Sequence, residues 1–172
     1  MSAPVSRNSG LLRKAVESEK PRVAKRPSAS LGRQPRFTRS FIDTNLLLYC
    51  EDAATPAKQA AALELVLEHK RQRTGVVSVQ VLEEYFVNAT LKLGVDPALA
   101  RQKVEIYARF HVVEPSVGDI LAAIDFHRLH GVSFWDALVI RSARQSGCKI
   151  LLTEGLQHHQ TIDGVTIVNP FL

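Results

Sequence analysis

Four stretches of this chain carry a carboxylate in apolar surroundings. In "FIDTNLLLYC", residues 41–50, Asp43 interrupts a hydrophobic run, and Thr44 and Asn45 follow it. "VLEEYF", residues 81–86, holds Glu83 and Glu84 side by side. "SFWDA" holds Asp136, and "LLTEG" ends an apolar run on Glu154. Each acid also has an ordinary explanation. Asp43 can cap a turn, since Thr44 and Asn45 are turn-forming neighbours. Glu83 and Glu84 fit a solvated helix face. Ser133 and Asp136 have the spacing of a helix N-terminal cap, and Glu154 precedes a glycine turn. Two chemistries compete with these explanations. An acid on a first helical turn, such as Asp136, can reach a metal at the edge of a sheet. Asp43 could instead be the covalent nucleophile of an aspartyl phosphatase, but that chemistry usually wants a second acid two residues on, where Asn45 stands.

Other polar residues suggest less. His158 and His159 are adjacent, and His127 and His130 lie three apart, yet no Cys or His partner completes a zinc-type set. Asp119 and Asp125 read as helix-surface acids, and Trp135 as a packing residue. Arg141 and Arg144 read as basic residues near a helix C-terminus, favoured there by the dipole. No glycine-rich phosphate loop and no Gly-x-Ser-x-Gly elbow occurs.

The elements that must position these acids follow from hydrophobic pattern and caps. Short apolar runs at "RSFIDT", "TGVVSV", "HVVEP", "CKILLTE" and "GVTIVNP" read as strands. Helices are expected after Thr55-Pro56, from Ser78 to Gly94, from Asp96-Pro97, from Ser116 and from Ser133 to Gly147. On the second of these helices Val79, Leu82, Phe86, Ala89 and Leu93 form the expected apolar stripe, with Glu84 nearly opposite. Strands alternating with helices predict an α/β fold, a three-layer α/β/α arrangement around a central, mostly parallel sheet. In such sheets ligands bind outside the carboxyl ends of the strands. Asp43 and Glu154 each end a strand, a coincidence that their separate turn explanations do not foresee.

The 172 residues carry a net charge of +5, but the charge is unevenly spread. Residues 1–36 hold nine Lys and Arg against two acids, and the remaining thirteen basic and fifteen acidic side chains leave residues 37–172 at −2. The first segment, rich in Ser, Pro, Arg and Lys, reads as a basic disordered arm, and residues 37–172 as the folded domain. No apolar run is long enough for a membrane span, and no secretory signal is evident. Cys50 and Cys148 make neither a metal spacing nor a disulfide framework, as expected for thiols of a reducing cytoplasm.

From Phe41 to Phe171 the chain resembles PIN-domain ribonucleases, especially bacterial toxins of the VapC kind. The likeness rests on "FIDTNLLLY", "VSVQVLEEYFVNAT", "VSFWDALVIRSARQSGCKILLTE" and "DGVTIVNPF", in that order and spacing. It implies a metal-dependent endoribonuclease, the toxin of a toxin–antitoxin pair, with an RNA substrate, an antitoxin partner and a homodimeric state. Asp43, Glu84 and Asp136 match the family's acids, which selects Glu84 over Glu83; Asn45 and Ser133 are similar to the polar residues that hold those acids. The fourth position departs from the pattern. Many relatives read Glu-Asp-Leu after the strand, whereas this chain reads Glu154-Gly155-Leu156, leaving Glu154 or Asp163 to assist. The catalytic set implied is Asp43, Glu84, Asp136 and Glu154, with Asp43, Asp136 and Glu84 around Mg²⁺ or Mn²⁺. Phosphodiester hydrolysis needs phosphoryl charge stabilised and a nucleophile near neutral pH, and a divalent ion serves both needs. The alternative is a catalytically weakened PIN-like RNA-binding or interaction module that lacks the fourth acid.

Overall fold

The computed structural model describes residues 38–172, so the expected arm, residues 1–36, lies outside the described residues. Those residues form β1 (Ser40–Ile42), α1 (Thr44–Tyr49), α2 (Pro56–Gln72), β2 (Gly75–Ser78), α3 (Val79–Leu91), α4 (Pro97–Tyr107), β3 (His111–Val113), α5 (Val117–His130), α6 (Phe134–Gln145), β4 (Ile150–Leu152), β5 (Thr161–Ile162) and β6 (Val165–Val168). The strands join in one sheet in the order β3-β2-β1-β4-β6-β5. All pairs are parallel except β5 with β6. This is the expected three-layer α/β/α architecture. The strands are short and apolar because both faces of a parallel sheet are covered: Phe41, Ile42, Val76, Val77, Leu151 and Ile167 are wholly buried.

β1 lies at the centre. The chain leaves it for β2 on one side and returns to β4 on the other. The crevice between connections running in opposite directions is where open α/β sheets bind ligands. Register then decides which side chains meet there. Ile42 pairs with Leu152, so Asp43 and Thr153 emerge together past the sheet's edge, and the Asp43 N–H donates to the Leu152 carbonyl at 3.1 Å.

Caps explain most of the helix starts. Ser78, Asp96, Ser116 and Ser133 each accept a backbone N–H from their own first turn. Two elements escape the sequence pattern. α1 is only six residues long, and its N-cap is Asp43, whose flanking Thr44 and Asn45 carry turn chemistry. β5 has two residues, too few to show alternation.

Two expectations are corrected. On α3 the buried side chains are Gln80, Val81, Tyr85 and Ala89, so the core stripe is rotated from the one predicted. Leu82 and Phe86, of that predicted stripe, instead line an apolar cavity of about 710 Å³ shared with Pro97, Ala98 and Val104 near α4. α3 turns this way because it packs against α1 as well as α4, and amphipathicity alone cannot distinguish two apolar neighbours. Asp119 is not a surface acid: it is 4% exposed. Ser116 bonds it in a capping box, and Arg141 Nε donates to its Oδ1 at 3.0 Å. The Ser116 hydroxyl, with the Arg141 guanidinium, holds the Asp119 carboxyl below its usual range. That stabilisation is present above the unfolded-state pKa and is lost as pH falls through the folded one.

Candidate functional site

Asp43 is the hub of the crevice. Its Oδ1 accepts the Thr44 N–H at 2.7 Å. Its Oδ2 accepts Asn45 Nδ2 at 2.8 Å and the Thr153 hydroxyl at 2.6 Å. Part of its surface reaches solvent, yet the carboxyl is set deep among protein atoms. Burial pushes its pKa up to about 6; the Thr153 and Thr44 hydrogen bonds oppose the rise, and the negative charges of Glu84 and Asp136 add to it. The repulsion from Glu84 and Asp136, smaller than the effect of burial, shows that the three carboxylates share one anionic cleft.

Glu84 enters from α3. Its Oε2 accepts the Thr44 hydroxyl at 3.0 Å, and its Oε1 accepts Gln80 Nε2 at 2.7 Å. Glu83, its neighbour, is exposed. Asp136 enters from the first turn of α6, where the Ser133 hydroxyl accepts the Asp136 N–H at 3.0 Å and donates to Asp136 Oδ2 at 2.6 Å. Gly155 links the two sides. A Cβ built there would lie 3.9 Å from Asn45 Nδ2 and 4.0 Å from Asp136 Oδ1.

Glu154 goes elsewhere. Its carboxylate accepts from Tyr49 Oη and from Lys58 Nζ, the latter at 2.5 Å. The Lys58 ammonium, which also lies 4.6 Å from the Tyr49 ring centroid, holds the Glu154 carboxyl below its usual range. The register explains the divergence. Thr153 is aligned with Asp43, and successive side chains of an extended segment point to opposite sides. Glu154 reaches the crevice only through its backbone N–H, donated to Asn45 Oδ1 at 3.4 Å. Asp163 pairs with Arg144, so it too lies apart from the three acids. His158 accepts the Asn169 N–H, and His159 stacks on His158 with ring centroids 3.6 Å apart.

Three contributors went unmarked in the sequence. Thr153 is 1% exposed and, besides bonding Asp43, accepts Asn45 Nδ2 and the Gly155 N–H, each at 3.0 Å. Thr44 joins Asp43 to Glu84, and Gln80 backs Glu84. A threonine after a strand carries no spacing signal of its own. The strand-end position of Thr153 beside Glu154, and the four-residue spacing of Gln80 and Glu84 on one helix, were the available hints.

The arrangement presents a wall of carboxylate oxygens, hard ligands suited to a hard cation. Among the described residues no three His, Cys, Asp or Glu side chains close into a ready ligand set. A cleft of about 200 Å³ continues from Asn45 past Tyr49 to Asn88 and Lys92 on the α3 side.

Several solved structures share this fold. The Mycobacterium tuberculosis toxin VapC20, described as cleaving the sarcin–ricin loop, superposes with a TM-score of 0.55 at 19% identity, covering 65% of this chain and 86% of its own. A Klebsiella pneumoniae toxin–antitoxin complex gives 0.58 at 17% identity, covering 76% and 97%. Rickettsia felis VapBC2, bound to a DNA fragment from its promoter, gives 0.53 at 16%, covering 74% and 96%. No curated protein sequence matches the chain. The PIN-domain profile matches residues 40–162, the span that contains every strand but β6 and all the acids of the crevice. The chain belongs to the PIN-domain family.

Proposed function

We propose that this chain is a metal-dependent endoribonuclease hydrolysing RNA phosphodiester bonds, and the toxin of a toxin–antitoxin pair. The observation that carries the reading is the gathering of Asp43, Glu84 and Asp136 from β1, α3 and α6 at the topological switch point. The similar solved structures include a toxin described as cleaving the sarcin–ricin loop and two toxin–antitoxin assemblies, which supports a nuclease toxin with an antitoxin partner. A homodimeric state belongs to the same reading.

The oxygen-only donor set fits Mg²⁺ or Mn²⁺. Mg²⁺ commonly uses one or two carboxylates and keeps several waters, so an incomplete protein cage is compatible with it. Asp43 and Asp136 would hold the main ion, and Glu84 would hold a second ion or orient the attacking water. When bound, the ion supplies charge stabilisation at the phosphoryl group and a nucleophile near neutral pH. The chain's own residues do the positioning. Thr44, Asn45 and Thr153 fix Asp43, Ser133 fixes Asp136, and Thr44 fixes one oxygen of Glu84. Glu154 remains an outer group, its carboxylate committed to Lys58 and Tyr49.

The purified protein should cut single-stranded RNA with Mn²⁺ or Mg²⁺ and stop on addition of EDTA. RNA binding with no cutting under either ion would favour a weakened PIN-like RNA-binding module. Gly155 and the engaged Glu154 are the observations on that side.

Gly155→Asp tests the same cleft from another direction. An added Cβ meets only ordinary contacts, at 3.6 Å or more, and Gly155 is not among the positive-φ glycines. The new carboxylate should lower Tm in EDTA at pH 8 by roughly 2–5 °C through repulsion and enlarge the Mn²⁺-induced rise in Tm. A variant with the same Mn²⁺-induced rise as wild type would show that no ion sits beside Gly155.

A further inference from the structure

We propose that Gln80 is a positioning residue for Glu84, a role that rests on the nuclease reading above. Gln80 lies in the first turn of α3, four residues before Glu84, so the two side chains share one helix face. It is 6% exposed. Its Nε2 donates to Glu84 Oε1 at 2.7 Å, while the Thr44 hydroxyl donates to Oε2 at 3.0 Å. One donor on each oxygen fixes both the place and the plane of the carboxylate. Each oxygen keeps a further lone pair for a ligand in the cleft.

The other half of the Gln80 amide is unmatched. Oε1 is buried, and no donor among the described residues reaches it. Turning the amide over would set that oxygen against the Glu84 carboxylate, which electrostatics forbids. A buried carbonyl oxygen without a donor weakens a fold, and an apolar side chain of similar length would remove the defect. Packing therefore gives no reason for an amide at this position. The reason is the N–H group directed at Glu84. Gln80 trades stability for a fixed carboxylate, the pattern expected where a site is held rigid at the fold's expense.

Gln80→Met keeps the length and removes both donor and orphaned acceptor. In EDTA its Tm should equal or exceed that of wild type. Its kcat for RNA should fall about tenfold with KM within twofold, and its Mn²⁺ dissociation constant, read from the free-ion signal in electron paramagnetic resonance, should rise several-fold. Gln80→Leu, measured in the same way, guards against a poor fit particular to methionine. A drop of more than a few degrees in both variants would mean Gln80 is structural and would overturn the proposal. Wild-type kcat and wild-type Mn²⁺ affinity in a stable variant would overturn it equally. Should wild type bind Mn²⁺ yet cut no RNA, the nuclease reading fails on its own, and the Mn²⁺ affinity of the variants still decides the role of Gln80. A wild-type protein that binds no Mn²⁺ and cuts no RNA overturns both.

Discussion

Asp43→Asn should reduce RNA cleavage by on the order of 10³-fold and, at pH 7.5 without metal, raise the melting temperature. Both effects come from one carboxylate. Asp43 carries the charge around which the proposed ion would bind, and an amide offers a much weaker ligand. The same charge is a burden to the metal-free fold. Its pKa, pushed up to about 6 mainly by burial, lies above the value of a free aspartate. The proton is thus bound more tightly in the folded state. Stability from this group is fully present below the unfolded-state pKa and lost as pH rises through about 6. Two pKa units set a ceiling of about 3 kcal/mol on the loss. Asparagine avoids the charge but must re-pair. Its Oδ1 can keep the Thr44 N–H, while the Thr153 hydroxyl, whose oxygen already accepts Asn45 Nδ2 and the Gly155 N–H, and Asn45 Nδ2 both lose their carboxylate acceptor. The net gain should be about 1 kcal/mol, a few degrees in Tm. It should vanish near pH 4, where wild-type Asp43 is protonated in the folded protein. Calorimetry at the two pH values, beside a gel assay of RNA cutting, checks both parts. Cutting that survives in the variant removes Asp43 from the proposed chemistry. A Tm gain that persists unchanged at pH 4 removes the electrostatic explanation.

The largest loss of stability is expected for Tyr85→Ala. Tyr85 is wholly buried on the core face of α3. Its ring meets Tyr107 edge-on, with centroids 5.1 Å apart, and its hydroxyl donates to Glu51 Oε1 at 3.2 Å. Lys103 pairs with the same Glu51 oxygen at 2.9 Å, so the tyrosine ties α3 to the end of α1 and to α4. Burial raises the phenol's pKa, which keeps the donor protonated. Truncation to alanine leaves a ring-sized cavity and should cost about 4 kcal/mol, roughly 10–20 °C in Tm. Tyr85→Phe keeps the ring and should cost only about 1 kcal/mol, because Glu51 retains Lys103. Chemical denaturation of the two variants distinguishes ring from hydroxyl. Equal losses would mean that the hydrogen bond, not the packing, secures α3. Since Glu84 lies one residue before Tyr85, partial loosening of α3 in the alanine variant should also lower RNA cleavage below what the folded fraction explains.

The architecture was legible because its signals are local. Apolar runs of strand length, Ser and Asp caps and Gly stops recur along the chain, and a parallel α/β sheet is the ordinary way to bury such an alternation. Asp43 stood out for a related reason, since a carboxylate at the end of a buried strand is costly unless it opens into a crevice; Glu84 was separated from Glu83 only by the family resemblance, and Asp136 has a cap explanation of its own. The buried face of α3 was not legible. Val79, Leu82 and Phe86 make as good an apolar stripe with Ala89 as Val81 and Tyr85 do, and only the presence of α1 and α4 on particular sides selects between them.

By itself, the sequence determined the strand-helix alternation, the helix caps and the carboxylates set at strand and helix ends. Tertiary structure decided which side chains share the cleft. Strand register aligned Asp43 with Thr153 and sent Glu154 to Lys58, and the α1–α3 contact brought Thr44 to the Glu84 carboxylate, whose other oxygen the helical neighbour Gln80 already meets. The physical reason is that caps and periodicity act over a few residues, whereas a one-residue choice of register between strands more than a hundred positions apart turns every side chain to the other face.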